Sequence, residues 1–129
     1  MLEPNVKSLA QAKNFAAFST LLPDGQPMTH VMWVDADDEH LLINTEVGRQ
    51  KFRNVSRDPR VTVTVIDAAS PYHYVEVRGE VVETVRGQEA RDHIDQLSHK
   101  YTGGPYDPSA IQTERVILRI APSRQRANG

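Results

Sequence analysis

The run Thr45-Glu46-Val47-Gly48-Arg49-Gln50-Lys51-Phe52-Arg53-Asn54 is the part of this 129-residue chain best equipped for chemistry. It follows a strand-like segment and places Arg49, Lys51 and Arg53 in the opening turns of a helix expected over 47–57. Cations there oppose the helix macrodipole, whose N-terminal end already carries partial positive charge and unpaired N–H groups. An anion would relieve that local cost, and the simplest is the phosphate of a nucleotide-like cofactor. A second reading stays open on spacing alone. Arg49 and Arg53 are one turn apart and Arg57 is another turn on, which is also the pattern of a solvated helix face. Three details favour the anion. Lys51 points to a different side, Phe52 and Val55 supply apolar contacts to dock the helix, and Thr45 brings a hydroxyl to the same place. Neither glycine pattern of a Walker or Rossmann loop occurs.

Other residue types offer less. Tyr72 and Tyr74 fall on one face of a strand that Glu76 and Arg78 continue, which suits either ligand contact or tyrosine packing at an interface. The five histidines, His30, His40, His73, His93 and His99, show no metal spacing, and no HExxH pair occurs. His30 is the one to watch, mid-strand among apolar residues. No G-x-S-x-G elbow supports a serine nucleophile. The absence of cysteine removes disulfides, thiolate metal sites and thiol nucleophiles. The acidic cluster from Asp35 to Glu39 reads as a solvated hairpin turn. No catalytic residue and no metal site is assigned.

The elements that must position the basic run form an antiparallel meander. Helical spacing over 6–16, with apolar positions at Val6, Leu9, Ala10, Ala12 and Ala16, gives a short helix to the N-terminal segment (1–14). Phe15 to Leu22 is a strand ended by Pro23-Asp24-Gly25. Pro27 to Val34 alternates, with Met28, His30, Met32 and Val34 on one face and Thr29, Val31 and Trp33 on the other. Leu41 to Thr45 follows, then the helix over 47–57, stopped at Asp58-Pro59 because the residue before proline leaves the α region. Arg60 to Asp67 is β-branched, and His73 to Val85 is a long strand facing inward at Val75, Val77, Gly79 and Val81. Helical spacing at Ala90, Ile94, Leu97 and Tyr101 gives a helix over 87–101. The loop Thr102–Pro108 includes Gly103 to Tyr106, expected to shape one pocket wall. Arg115 to Ile120 is the last strand, and 123–129 is read as a mobile polar tail. Strand after strand at this spacing suits a barrel or sandwich, without the β-α alternation of a doubly wound sheet.

Composition sets bounds. Hydrophobic residues make up 39% and charged residues 25%, as in a soluble single domain with its own core. Net charge is −2, so the basic run is a local concentration and not a field for nucleic acid or an anionic membrane. The acidic N-terminus has no signal-peptide core, and no apolar run could span a bilayer. The chain is expected to be cytoplasmic.

The segment from Thr45 to Val61 closely resembles a signature of the split β-barrel flavin/deazaflavin oxidoreductases, the superfamily of pyridoxine 5′-phosphate oxidase. Its coenzyme F420-dependent branch is the nearest match. The most specific part is Lys51, Asn54 and Asp58-Pro59-Arg60 in one run. Phe18-Ser19-Thr20-Leu21, the Pro23–Pro27 turn, His30-Val31-Met32-Trp33, Tyr72 to Gly79 and Glu114 to Ile120 follow the same order, so the likeness covers roughly Phe15 to Pro122. It implies a mainly β (α+β) fold, a six-stranded antiparallel split β-barrel with two or three short helices in a single domain over 1–129. It also implies a homodimer with the cofactor between two barrels. Arg49 and Lys51 would contact the cofactor phosphate, with Thr45 and Asn54 hydrogen-bonding alongside. Thr29, His30 and Val31 would run beside the ring, and Tyr72 and Tyr74 would come from the partner. One departure is Gln50, where a small residue is usual. The implied activity is hydride transfer between reduced coenzyme F420 and a small unsaturated or conjugated acceptor. The alternatives are an FMN-binding oxidase or reductase of the same fold, or a carrier or sensor that binds a cofactor without turnover.

Overall fold

The structure is a computed structural model describing residues 1–129. Its strands are β1 (Phe15–Leu21), β2 (Pro27–Met32), β3 (Asp35–Ala36), β4 (Leu41–Glu46), β5 (Arg60–Ile66), β6 (Tyr74–Val85) and β7 (Arg115–Asn128). Its helices are α1 (Pro4–Gln11), α2 (Gln50–Arg57) and α3 (Gln88–Thr102), with a single 3₁₀ turn at Pro108–Ala110. The strands make one curled antiparallel sheet, a half-barrel, in the order β2-β1-β5-β6-β7-β4-β3. The mainly β split-barrel expectation holds.

Period-two alternation explains the core. Ala16 and Phe18 of β1, Val61, Val63 and Val65 of β5, and Val75 and Val77 of β6 all turn inward. Val116, Leu118 and Ile120 of β7 and Leu41 and Ile43 of β4 close the other side. Helix α1 contributes Val6, Leu9 and Ala10 to the same cluster. Helix α2 docks through Val55 and Phe52. Helix α3 instead forms a smaller cluster of Ile94, Leu97 and Tyr101 with Trp33 and Tyr106.

Several boundaries differ from the sequence reading. The sheet has a seventh strand, because Asp35-Ala36 pairs with Leu41-Leu42 and only the residues between them form the turn. Two residues are too few to show a period. Strand β7 does not stop at Ile120. It continues to Asn128, pairing with β6 as far as Tyr74↔Asn128, so 123–128 is the outer half of a long ribbon. Its residues are largely exposed there and held by backbone bonds, which leave no hydrophobic mark. Helix α2 starts at Gln50 and not at Val47, since Val47 and Gly48 form the turn and Arg49 sits at the N-cap.

Candidate functional site

The largest cavity, about 440 Å³, opens where four parts of the chain meet. Strand β2 and the residue after it give His30, Val31, Met32 and Trp33. Strand β4 gives Asn44 and Thr45, and the entrance to α2 gives Arg49 and Lys51. The remaining wall is Ile94 and Leu97 of α3, Tyr106, and Arg115 of β7. Half of this lining is apolar, and the rest includes the three cations Arg49, Lys51 and Arg115.

The cationic end follows from local structure. Arg49 has extended backbone at the N-cap of α2 and makes no capping bond through its side chain, and the first turn holds no acidic residue. The helix therefore presents its positive pole uncompensated. Neither Arg49 nor Lys51 forms an ion pair within the chain; their neighbour Arg53 bonds the Gly48 carbonyl at 2.9 Å and Gln50 Oε1 at 2.7 Å. Burial pushes the Lys51 ammonium below its usual pKa, and repulsion from Arg49 and Arg115 pushes it the same way. A bound anion would reverse that penalty.

Beside these cations lies a connected polar network. Glu46 is 2% exposed. Its Oε1 accepts from the backbone N–H groups of Gln112 (3.0 Å) and Thr113 (2.7 Å) and from the Thr113 hydroxyl (3.0 Å). Its Oε2 accepts from Arg115 Nη1 at 3.1 Å. Arg115 Nε donates to Asn44 Oδ1 at 2.9 Å. Asn44 Nδ2 donates to the Ala90 carbonyl at 3.0 Å and meets His93 Nδ1 at 3.1 Å, and His93 Nε2 meets Asp35 Oδ2 at 3.1 Å. These partners leave one assignment. A carbonyl can only accept and a guanidinium can only donate, so the Asn44 amide has one orientation. His93 Nδ1 is then the acceptor and Nε2 carries the hydrogen toward Asp35. Burial lowers the pKa of Arg115 from its ordinary value, against the raising influence of Tyr106 and Glu46.

The aromatic wall is equally fixed. Trp33 stacks on Tyr101 with centroids 5.0 Å apart and planes 2° apart, and Tyr106 meets Trp33 edge-on at 6.2 Å. The Tyr101 hydroxyl accepts from Val34 N–H at 3.1 Å and donates to the Asn14 carbonyl. Tyr106 N–H donates to Asp95 Oδ1 at 3.1 Å, and its ring lies 5.4 Å from the Arg115 guanidinium carbon.

Of the residues singled out in the sequence, the cavity brings together His30, Val31, Thr45, Arg49 and Lys51. Asn54 lies elsewhere. It is fully buried, donates to Thr20 Oγ1 at 2.9 Å and accepts from Gln50 Nε2 at 2.8 Å, so it ties α2 to β1. Thr29 does not line the cavity, and its hydroxyl bonds Ser19 across the β1–β2 pair at 2.7 Å. Tyr72 is 79% exposed in the turn before β6, Tyr74 begins that strand, and neither lines the cavity of its own chain. Sequence reasoning assigned no role to Asn44, Trp33 or Arg115. The available signal was a charge pair: Glu46 and Arg115 end two strands that pair in register. No group of three His, Asp or Glu residues is placed to hold a metal ion. No helix is long and apolar enough to cross a membrane.

Fold and cavity together define a split-barrel protein with a cationic cleft at the rim of its sheet. The chain belongs to the pyridoxamine 5′-phosphate oxidase family, whose model matches residues 2–128. The resemblance to the flavin/deazaflavin split-barrel superfamily is thereby borne out. Among solved structures, an F420 reductase superposes with a TM-score of 0.84 at 32% identity, over 97% of this chain and 98% of its own. A conserved hypothetical protein from Mycobacterium tuberculosis gives 0.74 at 29% identity, over 99% and 84%. General stress protein 26 from Bacillus anthracis, at 18% identity and 0.71 over 95% and 90%, shares the fold. No protein of curated function matches the chain.

Proposed function

We propose that this protein is a coenzyme F420-dependent oxidoreductase acting on a small unsaturated or conjugated acceptor. The observation that carries the reading is the pair of unpartnered cations, Arg49 and Lys51, at the uncapped start of α2 in a cavity whose lining is half apolar. The likeness to an F420 reductase supports deazaflavin over other phosphorylated ligands. When bound, the deazaflavin supplies the hydride. The chain's own residues bind, orient and exclude water. Arg49 and Lys51 hold the phosphate, the Thr45 hydroxyl adds a donor, and His30 with Val31 borders the ring. Trp33 and Tyr106 form an apolar wall that keeps water from the reacting face.

The site is proposed to be completed by a second copy of the chain. Strand β2 is an edge strand with residues exposed on both faces, and Val31 is 70% exposed on it. An exposed apolar edge is a template for pairing unless covered. Tyr72 and Tyr74 would then reach the partner's cavity. Sedimentation at micromolar concentration should give a dimer in the cytoplasmic pH and salt range.

Lys51→Ala is the direct test of the cation reading. Removing one phosphate-paired cation costs about 1.5–3 kcal/mol, so affinity for coenzyme F420 should fall by more than about tenfold. The fold should survive, because the Lys51 side chain makes no hydrogen bond or ion pair within the chain. Its lowered pKa means the folded state holds that proton less well than the unfolded one. The charged lysine therefore opposes folding near neutral pH, and the unliganded variant should melt no lower than the parent. Unchanged affinity would end the phosphate assignment. The colour of the purified protein separates the cofactors: yellow protein releasing FMN favours the FMN reading. Colourless protein that binds coenzyme F420, and oxidises its reduced form only when an acceptor is added, favours this one. Tight binding with no turnover across acceptors favours a carrier.

A further inference from the structure

Arg115 is the best-anchored cation in the cavity, and its fork is not fully used. Its side chain is 10% exposed. Nε is committed to Asn44 and one nitrogen, Nη1, to Glu46, while Nη2 has no partner in the chain. Nη2 is not sealed away from solvent either, and Arg115 lines the cavity. A guanidinium held at two nitrogens leaves its third pre-aimed, so little rotamer entropy is lost when a ligand oxygen meets it. The count of charges points the same way. Arg49, Lys51 and Arg115 face one carboxylate, Glu46, which leaves two positive charges unneutralised at one end of the cavity. A phosphate monoester, or a phosphodiester with an adjacent carboxylate, carries the matching charge.

We propose that Arg115 is the third anion-binding residue of the cavity, its free Nη2 donating to an oxygen of the same anionic group held by Arg49 and Lys51. Asn44 and His93 are positioning residues for it. The amide of Asn44 is fixed from both ends, by Arg115 Nε on its oxygen and by Ala90 and His93 on its nitrogen. His93 in turn is held by Asp35 on β3. A network that runs from α3 and the edge of the sheet to one guanidinium is more than the buried pair with Glu46 requires. The proposal builds on the anion-cradle reading and adds a residue and its support to it.

The test must spare the fold, since an uncharged residue at 115 alone would strand the buried Glu46 carboxylate. Arg115→Lys keeps a positive charge for Glu46 but has no forked third nitrogen. Glu46→Gln with Arg115→Gln removes both buried charges together. Both proteins should weaken binding of coenzyme F420 and of FMN, read by fluorescence titration, by about tenfold or more, the scale of a charge-assisted bond. Asn44→Ala and His93→Phe should each weaken binding severalfold in the parent and add nothing in the Arg115→Lys background. That non-additivity marks positioning, because a merely structural loss would add. Parent-like affinity in both charge variants overturns the proposal, even where Lys51→Ala loses binding and the cradle reading stands. If the parent binds neither cofactor, the cofactor reading fails and inorganic phosphate becomes the probe. Broadening of its ³¹P resonance by the parent but not by Arg115→Lys upholds the proposal, and equal broadening or none overturns it.

Discussion

Gly79→Ala is expected to destabilise this protein more than any other exchange of glycine for alanine. A Cβ at this position would stand 2.1 Å from the Ala121 carbonyl oxygen and 3.0 Å from its carbon. Both are backbone atoms, so no side chain can swing aside. The close approach has a local cause. Gly79 pairs with Pro122, which has no N–H to give the ladder, and the β6–β7 register shifts between Arg78 and Gly79. The two longest strands of the sheet bend together at this point, and only a residue without a side chain allows it. Making room means parting β6 from β7, at the upper end of the roughly 1–3 kcal/mol that overpacking costs. The loss should appear as a large drop in the urea midpoint or as insoluble protein. Gly104→Ala is the control, because nothing lies within 4 Å of the place its Cβ would take and its φ is not positive. A Gly79→Ala protein as stable as Gly104→Ala would show that the ribbon is not closed at this bulge.

That glycine also shows where sequence and structure part. The alternation of β6 puts Gly79 on the inward face with Val75 and Val77, and the structure agrees. What alternation cannot show is which backbone lies opposite. The same limit applies to 123–128, whose pairing is through backbone groups that every residue carries. It applies again to Asn54, which has the right chemistry for phosphate but is consumed by Thr20 and Gln50 where α2 docks on β1. Arg49 and Lys51 were legible for the opposite reason. Their signal is a local conflict, cation against helix pole, that needs no knowledge of the fold. Arg115 had no such conflict, since its partner Glu46 stands on a strand far back in the chain and meets it only through the β4–β7 register. Strand faces and local charge conflicts are written in short windows. Long-range pairings are not, and this cavity is built from both.

Glu46→Ala is expected to be the most damaging change among the residues that support the cavity. The carboxylate receives four hydrogen bonds, three from Gln112 and Thr113 and one from Arg115. It therefore fixes the loop before β7 and one nitrogen of the Arg115 fork at once. Removing it strands a buried guanidinium and two backbone N–H groups, a loss of about 3–5 kcal/mol by analogy with other broken buried pairs. Glu46→Gln should cost less, since its oxygen still accepts from the Thr113 and Gln112 N–H groups. The pH dependence has a definite sign. Burial alone would raise the Glu46 pKa, but the bonds from Thr113 and Gln112 and the charge of Arg115 outweigh it and hold it below 4.5. A carboxylate with a lowered folded pKa contributes stability that is fully present above the unfolded value, about 4.5, and lost as pH falls through the folded one. The stability gap between the parent and Glu46→Gln, measured by urea titration, should accordingly be constant from pH 7 to about pH 5 and narrow below it. Parent-like stability for Glu46→Ala at pH 7 would mean that Arg115 does not depend on this carboxylate, and the charge count at the cationic end of the cavity would have to be redrawn.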